Sequence, residues 1–310
     1  MRRIAAALLV IMFATLHSVG QPRAADAVSP LVDAAWILEN HNRPSLTVLD
    51  IRNKIDGGSE AAYREGHIPG AVYSNYLEAG WRTEVDGVPG LLPPPETLEP
   101  LIGGLGIDNE THVVIVAGGV GSTDMASATR VYWTFKAMGH DAVSILDGGY
   151  RGYVAGEGNP VERGWNAPEA KIFTARPRGE LIAGLEDVQA AVASGTPLID
   201  VRPAAQYLGR ESSPVAKRAG TIPGAVNVPH GELVTESGRF VDARRVRELL
   251  SAVGVPPAGD IIAFCNTGHW GSLGWFAVSE ILGNVNARLY DGSIAEWSTH
   301  EELPMELKAR

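Results

Sequence analysis

Short, continuously apolar runs punctuate this chain at residues 48–49, 113–116, 145–146, 198–199, 261–264 and 289–290. They are too short for helices and rich in β-branched residues, so they predict strands covered on both faces, as in a parallel sheet. Longer stretches at 126–138, 241–253 and 273–282 have the apolar spacing of amphipathic helices. Strands alternating with helices indicate the α/β class. From Gly156 to Arg178 neither period holds, and Gly156, Gly158, Pro160, Gly164, Pro168 and Pro177 mark a linker, placed at 158–178. The run Val88-Pro89-Gly90-Leu91-Leu92-Pro93-Pro94-Pro95 reads as a stiff loop inside the first half, expected to lie against the second.

The pattern occurs twice. Val48-Leu49-Asp50-Ile51-Arg52 is answered by Leu198-Ile199-Asp200-Val201-Arg202, and His67-Ile68-Pro69-Gly70-Ala71-Val72 by Thr221-Ile222-Pro223-Gly224-Ala225-Val226. Ile145-Leu146-Asp147-Gly148-Gly149 is answered by Leu289-Tyr290-Asp291-Gly292-Ser293. Spacings of 150, 154, 148 and 144 residues separate Asp50 from Asp200, Gly70 from Gly224, Ala117 from Cys265 and Asp147 from Asp291. A spacing this steady through four landmarks indicates duplication of a whole domain, with domains at 28–157 and 179–310. The Asp50–Arg52 and Asp200–Arg202 pairs at strand ends read as structural ion pairs.

Length and composition agree with two globular domains: 310 residues, 45% apolar and 20% charged. The first 27 residues stand apart. Arg2 and Arg3 precede an apolar run too short to span a bilayer, and Ala25-Asp26-Ala27 fits a small-x-small cleavage site, so a signal peptide and a periplasmic or secreted protein are expected. The formal charge of −10 argues against nucleic acid or an anionic membrane as partner. The His residues lack ligand spacing, so no metal or cofactor is expected.

Cys265 is the only cysteine. It has no partner for an internal disulfide, which leaves a buried inert thiol, an intermolecular bridge or a reactive thiol. Its setting is Ile261-Ile262-Ala263-Phe264-Cys265-Asn266-Thr267-Gly268-His269-Trp270-Gly271-Ser272, a strand, a glycine turn and a helix start. Ligands bind at the carboxyl ends of parallel strands. Amides of residues 266–272 and the helix dipole can converge above the sulfur, favouring thiolate and an attached anionic sulfur.

These features together resemble the tandem rhodanese family of thiosulfate and 3-mercaptopyruvate sulfurtransferases, over residues 30–305. Tyr63-Arg64-Glu65-Gly66-His67-Ile68-Pro69-Gly70-Ala71 is similar to the family's N-terminal signature. Tyr290-Asp291-Gly292-Ser293-Ile294-Ala295-Glu296-Trp297 is similar to its C-terminal one, with Ile294 where an aromatic is usual. The resemblance implies two rhodanese-like domains, each a parallel sheet flanked by helices. The first has lost its nucleophile, with Ala117 in the place of Cys265. It implies sulfur transfer through a persulfide on Cys265, from thiosulfate or a similar small anionic donor to a thiol, cyanide or a thiol-carrier protein. The substrate-binding residues it implies are Asn266, Thr267, Gly268, His269, Trp270 and Gly271 of the loop, with Arg210, Gln206 and His67. His269 is expected to orient the donor, to favour thiolate by its charge, or equally to be a solvent-facing loop residue. His67, and with it Asp56, is expected at the cleft between the domains.

The chain also departs from the family. Its loop is neither the basic loop of thiosulfate enzymes nor the small Gly-Ser-Gly-Val-Thr loop of mercaptopyruvate enzymes. Gln206 stands where an anion-binding Arg is usual, so Arg210, Lys217 or Arg218 is expected to take over. Three rival readings follow: a 3-mercaptopyruvate sulfurtransferase, a persulfide carrier without turnover of its own, and a cysteine phosphatase. The phosphatase needs an Arg closing the loop, and the next one after Cys265 is Arg288. The spaced glycines Gly119 and Gly121 fall short of a nucleotide fingerprint and read as a flexible loop.

Overall fold

The computed structural model describes residues 28–308. The expected signal segment, 1–27, lies outside them. The first domain runs β1 (Leu31–Val32), α1 (Ala34–Asn40), β2 (Leu46–Asp50), α2 (Glu60–Glu65), β3 (Val72–Tyr73), the antiparallel hairpin β4 (Thr83–Val85) and β5 (Val88–Leu91), α3 (Pro95–Gly104), β6 (His112–Val116), α4 (Ser122–Ala137), β7 (Val143–Leu146) and α5 (Gly149–Val154). The second runs β8 (Ile182–Ala183), α6 (Leu185–Ser194), β9 (Leu198–Asp200), α7 (Ala204–Tyr207), β10 (Val226–Asn227), α8 (Ala243–Ala252), β11 (Ile261–Phe264), α9 (His269–Phe276), β12 (Ala287–Tyr290) and α10 (Ser293–Trp297).

Both main sheets are five-stranded and parallel, ordered β1-β7-β6-β2-β3 and β8-β12-β11-β9-β10. The orders superimpose strand for strand, so the duplication read from the sequence is a duplication of topology. Each sheet hides its apolar residues on both faces. Val48, Val114 and Val116 pack outward under α1, and Leu198, Ile262 and Phe264 do the same in the second domain. The inner faces share one continuous core, which joins Ile115 and Val131 of the first domain to Ala263 and Trp275 of the second.

That shared core changes the expected character of two helices. The segments 126–138 and 273–282 do not form amphipathic helices with a wet face. Residues 124–135 of α4 are all buried, and in α9 only Trp270 is less than fully so. The reason is that α4 packs against α9, each helix lying between its own sheet and the other domain. Thr129 and Ser272 share a buried hydroxyl–hydroxyl hydrogen bond of 2.9 Å across this contact. After α9 the chain passes through one π-helical turn, Ala277–Ile281, before reaching β12.

The linker begins as part of the first domain. His67 and Glu162 form an antiparallel bridge, and the Glu162 carboxylate accepts the Gly70 N–H. Thr221 and Glu306 repeat both features at the C-terminus, where Glu306 accepts the Gly224 N–H. The segment around 162 therefore closes the first domain as the segment around 306 closes the second. Further on, Lys171 and Arg176 donate backbone N–H groups to Gly103 and Met138, so the rest of the linker lies along the first domain. Among the described residues no helix is long and apolar enough to cross a membrane.

Gly274 of α9 faces Val201, and a Cβ there would lie 2.6 Å from its Cγ1. Gly274→Val should destabilise the protein by about 1–3 kcal/mol through overpacking, read as a lowered denaturation midpoint with an unchanged slope.

Candidate active site

Strand β11 ends one residue before Cys265, and Gly268 turns the chain at φ +73° into α9. The loop's carbonyls from Cys265 to Gly268 are all engaged. Those of Cys265 and Asn266 accept the N–H groups of Ile294 (3.1 Å) and Ala295 (2.9 Å) from α10, and that of Gly268 accepts Ser272 N–H (3.0 Å). The Thr267 carbonyl accepts Arg82 Nη2 of the first domain at 2.6 Å. With the carbonyls tied down, the amides of Asn266, Thr267, His269, Trp270 and Gly271 have no acceptor among the described residues. They are left as free donors in the loop that follows Cys265.

Two loop amides are not part of it. Ser293 Oγ accepts from the N–H of Cys265 and of Gly268, each at 3.1 Å, and donates to the Tyr290 carbonyl at 2.8 Å. Ser293 sits at φ +52°, in the left-handed region where its counterpart Gly149 sits at +56°. A side chain there costs about 1–2 kcal/mol, and in return a hydroxyl supports the loop. Sequence reading placed Ser293 in a signature without giving it a role; the Ser-for-Gly exchange between the two halves was the available signal.

Cys265 is 1% exposed and stands in the wall of an open cavity of about 230 Å³. Ser213, Val215, Asn266, Thr267, His269 and Trp270 complete the lining. No charged side chain is among them. Ser213 and Val215, from the loop after α7, were not anticipated, because nothing in their sequence marks them as reaching Cys265.

The imidazole of His269 is not a charge donor. Its Nε2 donates to the Thr123 carbonyl (2.8 Å) and its Nδ1 accepts the Tyr76 hydroxyl (2.8 Å), both partners belonging to the first domain. Burial first, and then the neighbouring Arg82 guanidinium, push it down to about 3, so it is neutral. The expected electrostatic role is thereby corrected to that of an anchor. Trp270 stacks on His230 at 4.3 Å between ring centroids and donates to Thr123 Oγ1. His230, itself pushed down to about 4 by burial, pairs with Ser122.

The remaining predicted residues separate into those that reach the loop and those that do not. Gln206 does: its Oε1 accepts the Asn266 side-chain N–H at 2.8 Å. Gly271 shapes packing more than binding, since a Cβ there would meet Leu289 at 2.8 Å. Arg210 and Lys217 are exposed and do not line the cavity. Arg218 spends its guanidinium on the carbonyls of Trp297, Ser298, His300 and Leu303, which secures the C-terminal segment. None of the three takes over from the missing Arg. His67 is fully buried, stacked on Tyr63 at 4.0 Å and bonded to Tyr63 and Asn166, so it faces the linker and not the interdomain cleft. Arg52 and Arg202 pair in-strand with Asp50 and Asp200 and also bond the Gly66 and Gly220 carbonyls, as structural pairs should.

In the first domain the equivalent loop is closed. Its carbonyls at Ala117 and Gly118 accept from Tyr150 and Arg151, matching the second domain. Its amides do not wait for a ligand: Gly118, Gly119 and Val120 donate to the Asp124 carboxylate at 3.2, 2.6 and 3.0 Å. The spaced glycines thus wrap the chain's own anion. Asp56 lies against this loop, over Gly118, and not at the catalytic cavity. Burial and then the nearness of Asp124 raise its carboxyl to about 7.

Comparison with known proteins places this geometry. The Rhodanese-like domain family matches the chain twice, over residues 33–155 and 179–300. A Haloferax volcanii protein named "Putative thiosulfate sulfurtransferase" is 31% identical over 288 residues, covering 89% of this chain and 96% of its own. The 3-mercaptopyruvate sulfurtransferase of Escherichia coli K12 is 32% identical over 281 residues, covering 89% and 97%. The crystal structure of SseA from Escherichia coli aligns with a TM-score of 0.74 and 29% identity, over 86% of this chain and 99% of that one.

The buried neutral imidazoles fix a pH dependence. Below about pH 6.5 the unfolded chain takes up protons that folded His269 and His230 refuse, so stability present above that pH is lost as it falls toward 3. Urea melts across this range should show a slope for the native protein that exceeds that of His269→Gln by about one proton.

Proposed function

Because the chain belongs to the rhodanese family and keeps a nucleophile only in its second domain, we propose that it moves sulfane sulfur from thiosulfate to a thiol or cyanide through Cys265. The observation that carries this reading is the cradle of unpaired amides beside a cysteine that opens into a small cavity. The Cys265 thiolate attacks the outer sulfur of thiosulfate, the S–S bond breaks, and sulfite leaves with the bonding electrons. The persulfide left on Cys265 is an anion, and the amides of Asn266, Thr267, His269 and Trp270 are donors aimed at the region where that charge settles. A thiolate or cyanide then attacks the terminal sulfur and returns the Cys265 thiolate, forming a new persulfide or thiocyanate.

Thiosulfate is favoured as donor by the cavity's chemistry. It is small, and no guanidinium lines the wall to clasp a carboxylate, since Gln206 occupies that place. The 3-mercaptopyruvate reading is supported by the Escherichia coli relative. Initial rates with the two donors side by side separate them, and thiosulfate should be the faster. Delivery to a carrier protein is a variant of the second step and changes nothing in the first.

Cys265→Ser should abolish transfer, by at least about a thousandfold in kcat, without loss of the fold. Mass spectrometry of the native protein after thiosulfate treatment should show an adduct of about 32 Da (one sulfur) on Cys265. Thiocyanate formation by the Ser variant would overturn the mechanism. We also propose export, on the basic-then-apolar N-terminal stretch; fractionation of expressing cells should then find a chain shortened to near residue 28 outside the inner membrane.

A further inference from the structure

Four carbonyls bound the catalytic loop, and three are held by backbone N–H groups of the same domain. The fourth, that of Thr267, is held by a side chain from the other domain, Arg82. Arg82 stands at the start of the β4–β5 hairpin, and its Nε donates to the Gly90 carbonyl at 3.0 Å, so the hairpin aims the guanidinium. From there Nη2 reaches Thr267 O at 2.6 Å, a short charge-assisted bond.

The Thr267–Gly268 peptide is the one most able to turn over. Gly268 sits at φ +73°, and glycine alone adopts both hands of backbone at little cost. Its N–H end is held by Ser293 and its carbonyl end by Arg82. If it flipped, a carbonyl oxygen would enter the space where the amides of Asn266, Thr267 and His269 converge. That oxygen would repel an anionic sulfur and cancel part of the cradle.

Among the described residues no cation of the second domain bonds the Thr267 carbonyl. Arg202 and Arg218 are spent on Asp200 and on backbone carbonyls, and Arg210 and Lys217 face solvent away from the cavity. Arg130, a fully buried cation at this interface, is committed to Asp291 and the Gly90 carbonyl.

We propose that Arg82 of the non-catalytic domain is a positioning residue for sulfur transfer: by holding the Thr267 carbonyl outward, it keeps the loop's amides turned to Cys265. The statement rests on the sulfurtransferase reading for the identity of the anion, but not for the geometry. It also gives the first domain a direct part in the reaction, although it carries no nucleophile.

The test compares Arg82→Met and Arg82→Lys with the native full chain in three measurements: melting temperature, thiosulfate:cyanide turnover, and alkylation of Cys265 by iodoacetamide. Alkylation is read as the ratio of its rate at neutral pH to its rate at high pH, in which access to the buried sulfur cancels. Arg82→Met should lower that ratio and kcat about tenfold each, with KM for thiosulfate changed less than kcat. Arg82→Lys, which keeps the charge and one donor, should recover both to within about threefold. A Met variant within twofold of native in the alkylation ratio overturns the proposal, as does a loss that Lys fails to restore in a folded protein. If Arg82→Met does not fold, the Lys variant decides alone: a native ratio supports the proposal and a tenfold loss overturns it. Alkylation uses no sulfur donor. A protein that alkylates as expected yet never turns over thiosulfate refutes the functional reading, and Arg82 is still judged on the ratio.

Discussion

The packing of α4 against α9 is the constraint on which the rest depends. Two helices without a solvent face can exist only if each is covered by the other's domain, so the halves share one core and fold as a unit. The polar contacts at this seam are exchanged in pairs. Asp147 accepts the Phe240 N–H from the second domain, and Asp291, its counterpart, accepts the Leu92 N–H from the first. Tyr76 bonds His269 across the seam in one direction, and His230 bonds Ser122 in the other. The buried Arg130–Asp291 pair is answered across the seam only by the half-exposed Arg239–Asp147 pair at 3.3 Å, and it adds a lock; removing one partner of such a buried pair costs about 3–5 kcal/mol.

The catalytic loop stands at the end of this seam, and its chemistry follows from where its polar groups are spent. In this acidic chain the groups left free around Cys265 are neutral donors. Amides are freed by engaging every carbonyl elsewhere, and a neutral, anchored His269 fixes the start of α9. The glycine at 268 and the left-handed serine at 293 are the two backbone irregularities this needs, one at each end of the support.

Much of this was legible in the residues. The duplication, the parallel sheets, the strand-end ion pairs and the reach of segment 88–95 to the second domain all follow from local patterns, although residues 88–91 of that segment form strand β5 and not a loop. A strand pattern or a repeated motif reports its own surroundings. What was not legible belongs to the seam. An α4 without a wet side reads as amphipathic when its second covering surface lies 150 residues away. His269 reads as a chargeable loop residue until Tyr76 and Thr123 are seen to bury it. Arg210, Lys217 and Arg218, the sequence neighbours expected to replace the Arg that is usual where Gln206 stands, are all spent or exposed in the structure. His67 was misread for a similar reason, since its partners, Glu162 and Asn166, come from a stretch without periodicity.

The Asp124 carboxylate inside the first domain's loop occupies the place that an anionic ligand would take. A cradle of amides left without a ligand is a run of unpaid donors, and a resident carboxylate satisfies them permanently. A cysteine restored at position 117 would meet a negative charge already seated where its own should form. The amides of Gly118, Gly119 and Val120 are therefore already taken, whatever stands at position 117. What this end of the first domain still offers is contact, since Gly119 lies against Gly238 of the other half.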